Sequence, residues 1–133
     1  MGDFRKLKAW EKAHTISIDV HRLARRMPAR EGAALRGQLQ RSALSVAATI
    51  AEGAGKSTDA EFARYVDIAL GSAAETLHHL LTARDLELLS GVDHDALRER
   101  VEEVRRMLTG LLKRLREPDS APESPAPAAR LTR

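Results

Sequence analysis

The sequence predicts an all-α fold, an antiparallel up-down-up-down four-helix bundle, and three observations predict it. Apolar residues recur every three or four positions through four successive segments. The connectors between those segments are short, which sets neighbouring helices antiparallel. The apolar content comes mainly from Leu, Ala, Ile and Val, and only Phe4, Trp10, Phe62 and Tyr65 are aromatic, a poor supply for the cross-strand pairs of a sheet. At 133 residues the chain is one domain, long enough to bury roughly two thirds of its unfolded surface.

The first helix is expected from about Leu7 to Met27, with Leu7, Trp10, Ala13, Ile16, Val20, Leu23, Ala24 and Met27 along one stripe and Pro28 as the stop. A second helix, about Arg30 to Glu52, aligns Leu35, Leu39, Ala43, Val46 and Ile50 and ends at Gly53. Thr58, with Glu61 three residues later, forms a capping box that opens a third helix reaching about Ser90. That helix would be about 50 Å long unless Gly71-Ser72 bends it. Gly91 is read as its end and Asp93 as the cap of a fourth helix, about Asp95 to Arg116, in which Leu97, Val101, Val104, Leu108, Leu111 and Leu115 form a heptad seam. Four prolines then follow among Ser and Ala, a composition too poor in apolar surface to offset chain entropy. The expected organisation is a bundle over residues 1–117 and a disordered tail over 118–133.

Composition removes several function classes. Without cysteine there is neither a disulfide framework nor a thiolate metal site. The longest apolar run, Ala43 to Ala51, falls far short of the roughly 20 residues a membrane span needs, and no secretory apolar region follows Met1, so a soluble, cytoplasmic protein with no membrane partner is expected. Gly55-Lys56-Ser57 imitates the end of a phosphate-binding loop, but its first glycine would fall at Ile50, and the segment leaves a helix where such a loop follows a strand. It reads as a glycine-rich helix stop.

Two Glu-x-x-His pairs, Glu11 with His14 and Glu75 with His78, raise a di-iron carboxylate site. On a helical wheel Glu75 lies about 160° and His78 about 140° from the stripe of Ala69, Ala73 and Leu80, so these pairs face outward, and neither Glu102 nor Glu103 falls on the fourth seam. Ser42 and Ser45 sit mid-helix among alanines with no base nearby, which suits close helix approach better than nucleophilic catalysis. No enzyme activity, cofactor or metal is expected.

Charge is the remaining signal. Residues 1–57 hold 11 Lys/Arg against 5 Asp/Glu, and residues 58–133 hold 11 against 14. This polarity suits a polyanion, or subunits oriented head to tail, as well as an ordinary solvated surface. Candidate phosphate contacts are Lys8, Lys12, Arg22, Arg25, Arg26, Arg30 and Arg36, with Arg5 and Lys6 nearby. So few aromatics accompany them that binding is expected to be electrostatic, weakly sequence-selective and steeply salt-dependent. The arginines of the fourth helix lie within i,i+3 and i,i+4 reach of Glu99, Glu102 and Glu103, which reads as self-compensation. Gln38, Arg41, Ser45, Thr49 and Glu52 share a face too polar for a core and too poor in charge for open solvent. A buried or subunit-facing polar network is expected there, with Arg41 paired to Glu52 or Glu75; an exposed face of small residues is the alternative.

The run F-R-K-L-K-A-W-E-K-A at Phe4–Ala13, Q-L-Q-R-S-A-L-S-V at Gln38–Val46, I-A-E-G at Ile50–Gly53 and E-F-A-R-Y-V-D-I-A-L-G-S-A-A-E at Glu61–Glu75 together resemble the bacterial four-helix-bundle family of ribosomal-RNA intervening-sequence proteins, which includes accessory variability proteins of diversity-generating retroelements. The resemblance spans about Phe4 to Leu115; Thr49 stands where the family usually has Asn, and His21 where an aromatic is common. It implies a ring-like homo-oligomer, typically a pentamer, with no known catalytic activity. For the retroelement members it implies basic scaffolds that bind a reverse transcriptase and nucleic acid. The expected function is therefore a non-enzymatic scaffold binding RNA or DNA through its basic N-terminal half, with a protein-interaction adaptor as the alternative.

Overall fold

The computed structural model describes residues 2–117, so the tail expected over 118–133 lies outside the described residues. A 3-10 turn at Phe4–Lys6 precedes α1 (Lys8–Ala24), α2 (Ala29–Ala54), α3 (Asp59–Asp85) and α4 (Gly91–Arg116). Cross-helix pairs fix the directions. Ser42 meets Thr76 and Ser45 meets Ser72, so numbers rise on α2 as they fall on α3. Lys12 pairs with Glu103 and Asp19 with Arg100, giving the same antiparallel sense to α1 and α4. Each helix packs on two neighbours in a square, and the α1–α4 side is the sparsest of the four.

The core is where the stripes predict it. Leu97, Val101, Val104, Leu108, Leu111 and Leu115 are all buried, and Leu39, Ile50, Leu80 and Leu108 have no exposed surface. Midway along the bundle Ala13, Ala43 and Ala73 face one another beside Ile16, Val46, Thr76, Val101 and Val104. Their small side chains let four helices close to within a void of about 10 Å³, room for one water at most.

Helix ends depart from the sequence expectations, each for a local reason. α1 stops at Ala24, where Arg26 and Met27 turn their N–H groups back to the Leu23 and Ala24 carbonyls, yet Met27 is still buried. The apolar stripe therefore reported burial correctly and backbone conformation incorrectly. α2 does not end at Gly53: it runs to Ala54, with Gly55 as cap, and Gly53 is a buried residue of the helix. α3 begins as predicted, the Thr58 hydroxyl accepting from the Glu61 N–H at 3.1 Å.

α3 ends at Asp85, not near Ser90. Leu88 donates its N–H to the Ala83 carbonyl at 2.8 Å and Glu87 to that of Arg84 at 2.9 Å, the paired bonds of a Schellman motif. Glu87 occupies the left-handed position with φ 62°, where glycine is the usual residue, so composition gave no warning of the stop. Exchanging Glu87 for glycine should raise stability by about 0.5–1 kcal/mol, because it relieves the left-handed conformation at some cost in unfolded-chain entropy. A thermal melt reads the shift; a lowered midpoint would show that the Glu87 side chain stabilises the turn.

α4 then starts at Gly91, with the Ser90 hydroxyl accepting from the Asp93 N–H at 3.0 Å, so Gly91 opens the fourth helix instead of closing the third. His94, buried in this first turn, donates from Nδ1 to Asp95 at 2.9 Å and holds that carboxyl below the ordinary aspartate range.

Candidate nucleic-acid and subunit interfaces

The predicted cations do not form one patch. Arg22, Arg25, Arg26 and Arg30 surround the α1–α2 turn, whereas Lys8 stands at the opposite end of α1, about 25 Å away along a helix of this length. Helix electrostatics accounts for Arg22, Arg25 and Arg26, since α1 ends there and its unpaired carbonyls favour positive charge; Arg30, in the first turn of α2, gains nothing from its own helix. Arg22 reaches Asp19 only at 3.8 Å, because the other oxygen of Asp19 is held by Arg100 at 2.9 Å. Arg25, Arg26 and Arg30 are exposed and have no ion pair among the described residues. Arg36 is half-buried and donates to the Met27 carbonyl at 3.3 Å, tying α2 to the preceding turn. Lys12 is drawn to Glu103 at 3.6 Å.

On α4 the expected self-compensation is incomplete. Arg105 takes Glu102 at 3.0 Å, Arg116 takes Asp67 and Arg100 takes Asp19, but Glu103 turns across the seam to Lys12. Arg106 and Arg114 are exposed and carry no ion pair among the described residues. They line a groove with Lys8 between α1 and α4. Spacing along one helix could not reveal this, because the competing partner of Glu103 lies on another.

The polar face of α2 is only partly inward. Gln38, Arg41 and Glu52 are exposed, while Ser45 and Thr49 are half-buried. The expected carboxylate partner of Arg41 is corrected: Arg41 donates to Gln38 at 3.0 Å, and Glu75 pairs with His79 on its own helix at 3.3 Å. Glu52 lies eleven residues on, about 16 Å along the helix and beyond reach. The hydroxyls instead join α2 to α3. Ser45 lies 2.9 Å from Ser72 and 3.5 Å from Thr49, and the buried Thr76 hydroxyl lies 2.9 Å from Ser42 and 2.8 Å from the Ser72 carbonyl. Ser72 and Thr76 were missed because hydroxyls singly placed on an apolar helix carry no sign of their partners. Leu44 on α2 and Ile68 on α3 remain 53% and 47% exposed.

The glycine-rich turn forms no phosphate cradle. Lys56 lies 5.0 Å from the centre of the Tyr65 ring, and the first turn of α3 carries Asp59 and Glu61, which oppose an anion at its N–H groups. Glu11, His14, Glu75 and His78 are all exposed, as the helical wheel predicts, and His14 stacks on Trp10 with ring centres 4.8 Å apart. Among the described residues no three His, Asp or Glu side chains gather closely enough to hold an ion. Phe4 packs edge-on against Trp10 at 4.9 Å and Phe62 is buried, so the aromatics are engaged within the fold. No helix among the described residues is long and apolar enough to cross a membrane.

A closed apolar interior, short loops and four packed helices define a small helical-bundle protein. The chain belongs to the family of 23S rRNA-intervening sequence proteins, whose model matches residues 5–110. Its fold is similar to that of a protein of unknown function from the S23 ribosomal protein family of Bacteroides thetaiotaomicron VPI-5482, with a TM-score of 0.73 and 21% identity over 79% of this chain and 98% of that one. No curated protein matches the chain.

Proposed function

We propose that this protein is a non-enzymatic, self-associating cytoplasmic scaffold that binds RNA or DNA through its basic N-terminal half. The observation that carries the reading is the α1–α2 corner, where Arg25, Arg26 and Arg30 project from one turn without ion pairs among the described residues. Unneutralised guanidinium groups release counterions when they meet phosphates, which favours nucleic acid without selecting sequence. The outward face of α2, with Leu44 between Arg41 and Ser45, supports contact between copies, and a ring would multiply one weak corner by avidity. A pentamer and a reverse transcriptase partner are the assembly and the protein partner that the family resemblance supplies.

Fluorescence anisotropy with labelled RNA and DNA of about 20 nucleotides tests this reading. At about 50 mM salt the triple variant R25E/R26E/R30E should bind at least about tenfold more weakly than the native protein, with a flatter dependence on salt. Absence of native binding at that salt, or an unchanged triple variant, would overturn it. The exposed Leu44 and Ile68 favour a second reading, a protein adaptor, which native protein that assembles but binds no nucleic acid would support.

A further inference from the structure

The sparse α1–α4 side of the bundle divides by charge. In its middle each cation has a carboxylate: Lys12 has Glu103, and Arg100 has Asp19. Toward the start of α1 and the end of α4 the groove opens to about 340 Å³, and no carboxylate lines it. Its rim is Lys8, Arg106 and Arg114, and its floor includes Ala9, Met107 and Gly110. Gly110 lies on that floor, and the Arg114 guanidinium folds back over it, 3.8 Å from where a Cβ on residue 110 would stand.

We propose that this groove seats the sugar–phosphate backbone of a single nucleic-acid strand, as a second contact distinct from the α1–α2 corner. The inference rests on the nucleic-acid reading above and adds to it residues of α4 that the basic N-terminal half does not contain. The backbone positions of Arg106 and Arg114 are eight residues apart, about 12 Å along the helix, a spacing that suits successive phosphates of one strand better than one small anion. The apolar floor accepts the sugars while the rim takes the charge. The groove is a shallow cleft between two packed helices, so a flexible single strand can settle along it, whereas a rigid duplex meets only its rim. Backbone contacts of this kind carry no sequence preference.

The test compares R106E/R114E with the corner variant R25E/R26E/R30E, using labelled single strands of about 20 nucleotides and the matching duplex. R106E/R114E should lose at least about tenfold in single-strand affinity at about 50 mM salt and flatten the log–log salt slope by about 1.4, some 0.7 for each phosphate released. Gly110→Leu fills the floor without changing charge, and should weaken single strands more than duplex. All the substituted positions are exposed or half-buried, and circular dichroism confirms the fold of each variant. If the corner variant is weakened while R106E/R114E and Gly110→Leu bind as well as the native protein, the groove is overturned and the corner stands. If the corner variant is unaffected and R106E/R114E is weakened, the corner falls and the groove stands. Equal loss of duplex binding in Gly110→Leu, or displacement of the strand by polyglutamate at equal charge, would overturn the single-strand occupant. No binding by native protein would overturn both sites.

Discussion

Gly53→Ala is expected to destabilise the bundle by about 2 kcal/mol, even though alanine is the better helix former by about 1 kcal/mol. A Cβ on residue 53 would lie 2.6 Å from the Cβ of Tyr65 and 3.0 Å from Cδ1 of Phe62. The first of these atoms is fixed to the α3 backbone and cannot rotate away, so α3 must retreat from α2 at the point where the two helices approach. Such overpacking costs about 1–3 kcal/mol or more and outweighs the propensity gain. Gly37 and Gly71 are the controls, since nothing lies within 4 Å of a Cβ at either position. Alanine at those positions should stabilise by about 0.5–1 kcal/mol. Urea unfolding at one protein concentration measures all three, concentration being fixed because self-association would shift apparent stability. A Gly53→Ala midpoint at or above the native one would show that α2 and α3 do not close as described.

Leu108→Ala should cost more, about 3 kcal/mol, a large part of the roughly 5–15 kcal/mol that holds a domain together. Leu108 has no exposed surface and belongs to the close-packed core, so the bundle has little slack with which to refill a lost isobutyl group. Leu86 is the contrast. It is 61% exposed in the α3–α4 turn, and its replacement by alanine should change stability by less than about 0.5 kcal/mol. Equal midpoint shifts for the two variants, read in the same urea titration, would contradict the packing of the fourth seam.

Much of the fold was legible in the amino-acid order because helical burial repeats at a fixed interval. The seam from Leu97 to Leu115 needed only that period, and Thr58 with Glu61 needed only the local demand of unpaired N–H groups at a helix start. The stop after Asp85 escaped because a glutamate took the left-handed position, and Gly53 was misplaced because its reason for being glycine is Tyr65, on another helix.

The candidate surface divides in the same way. Arg25, Arg26 and Arg30 could be picked out from a charge count, since they crowd one turn. The groove of Lys8, Arg106 and Arg114 could not, because whether an arginine is neutralised depends on where each neighbouring carboxylate goes, and Glu103 goes to Lys12.

The chain by itself determined the helices, their buried faces and the excess of positive charge at its N-terminal half, because propensity, periodicity and charge are carried by residues near one another in sequence. Only the tertiary structure decided which hydroxyls meet, which glycine has no room for a methyl group and which cations stand unpaired. Those outcomes depend on distances between segments far apart in the chain, and such distances are set when the helices pack.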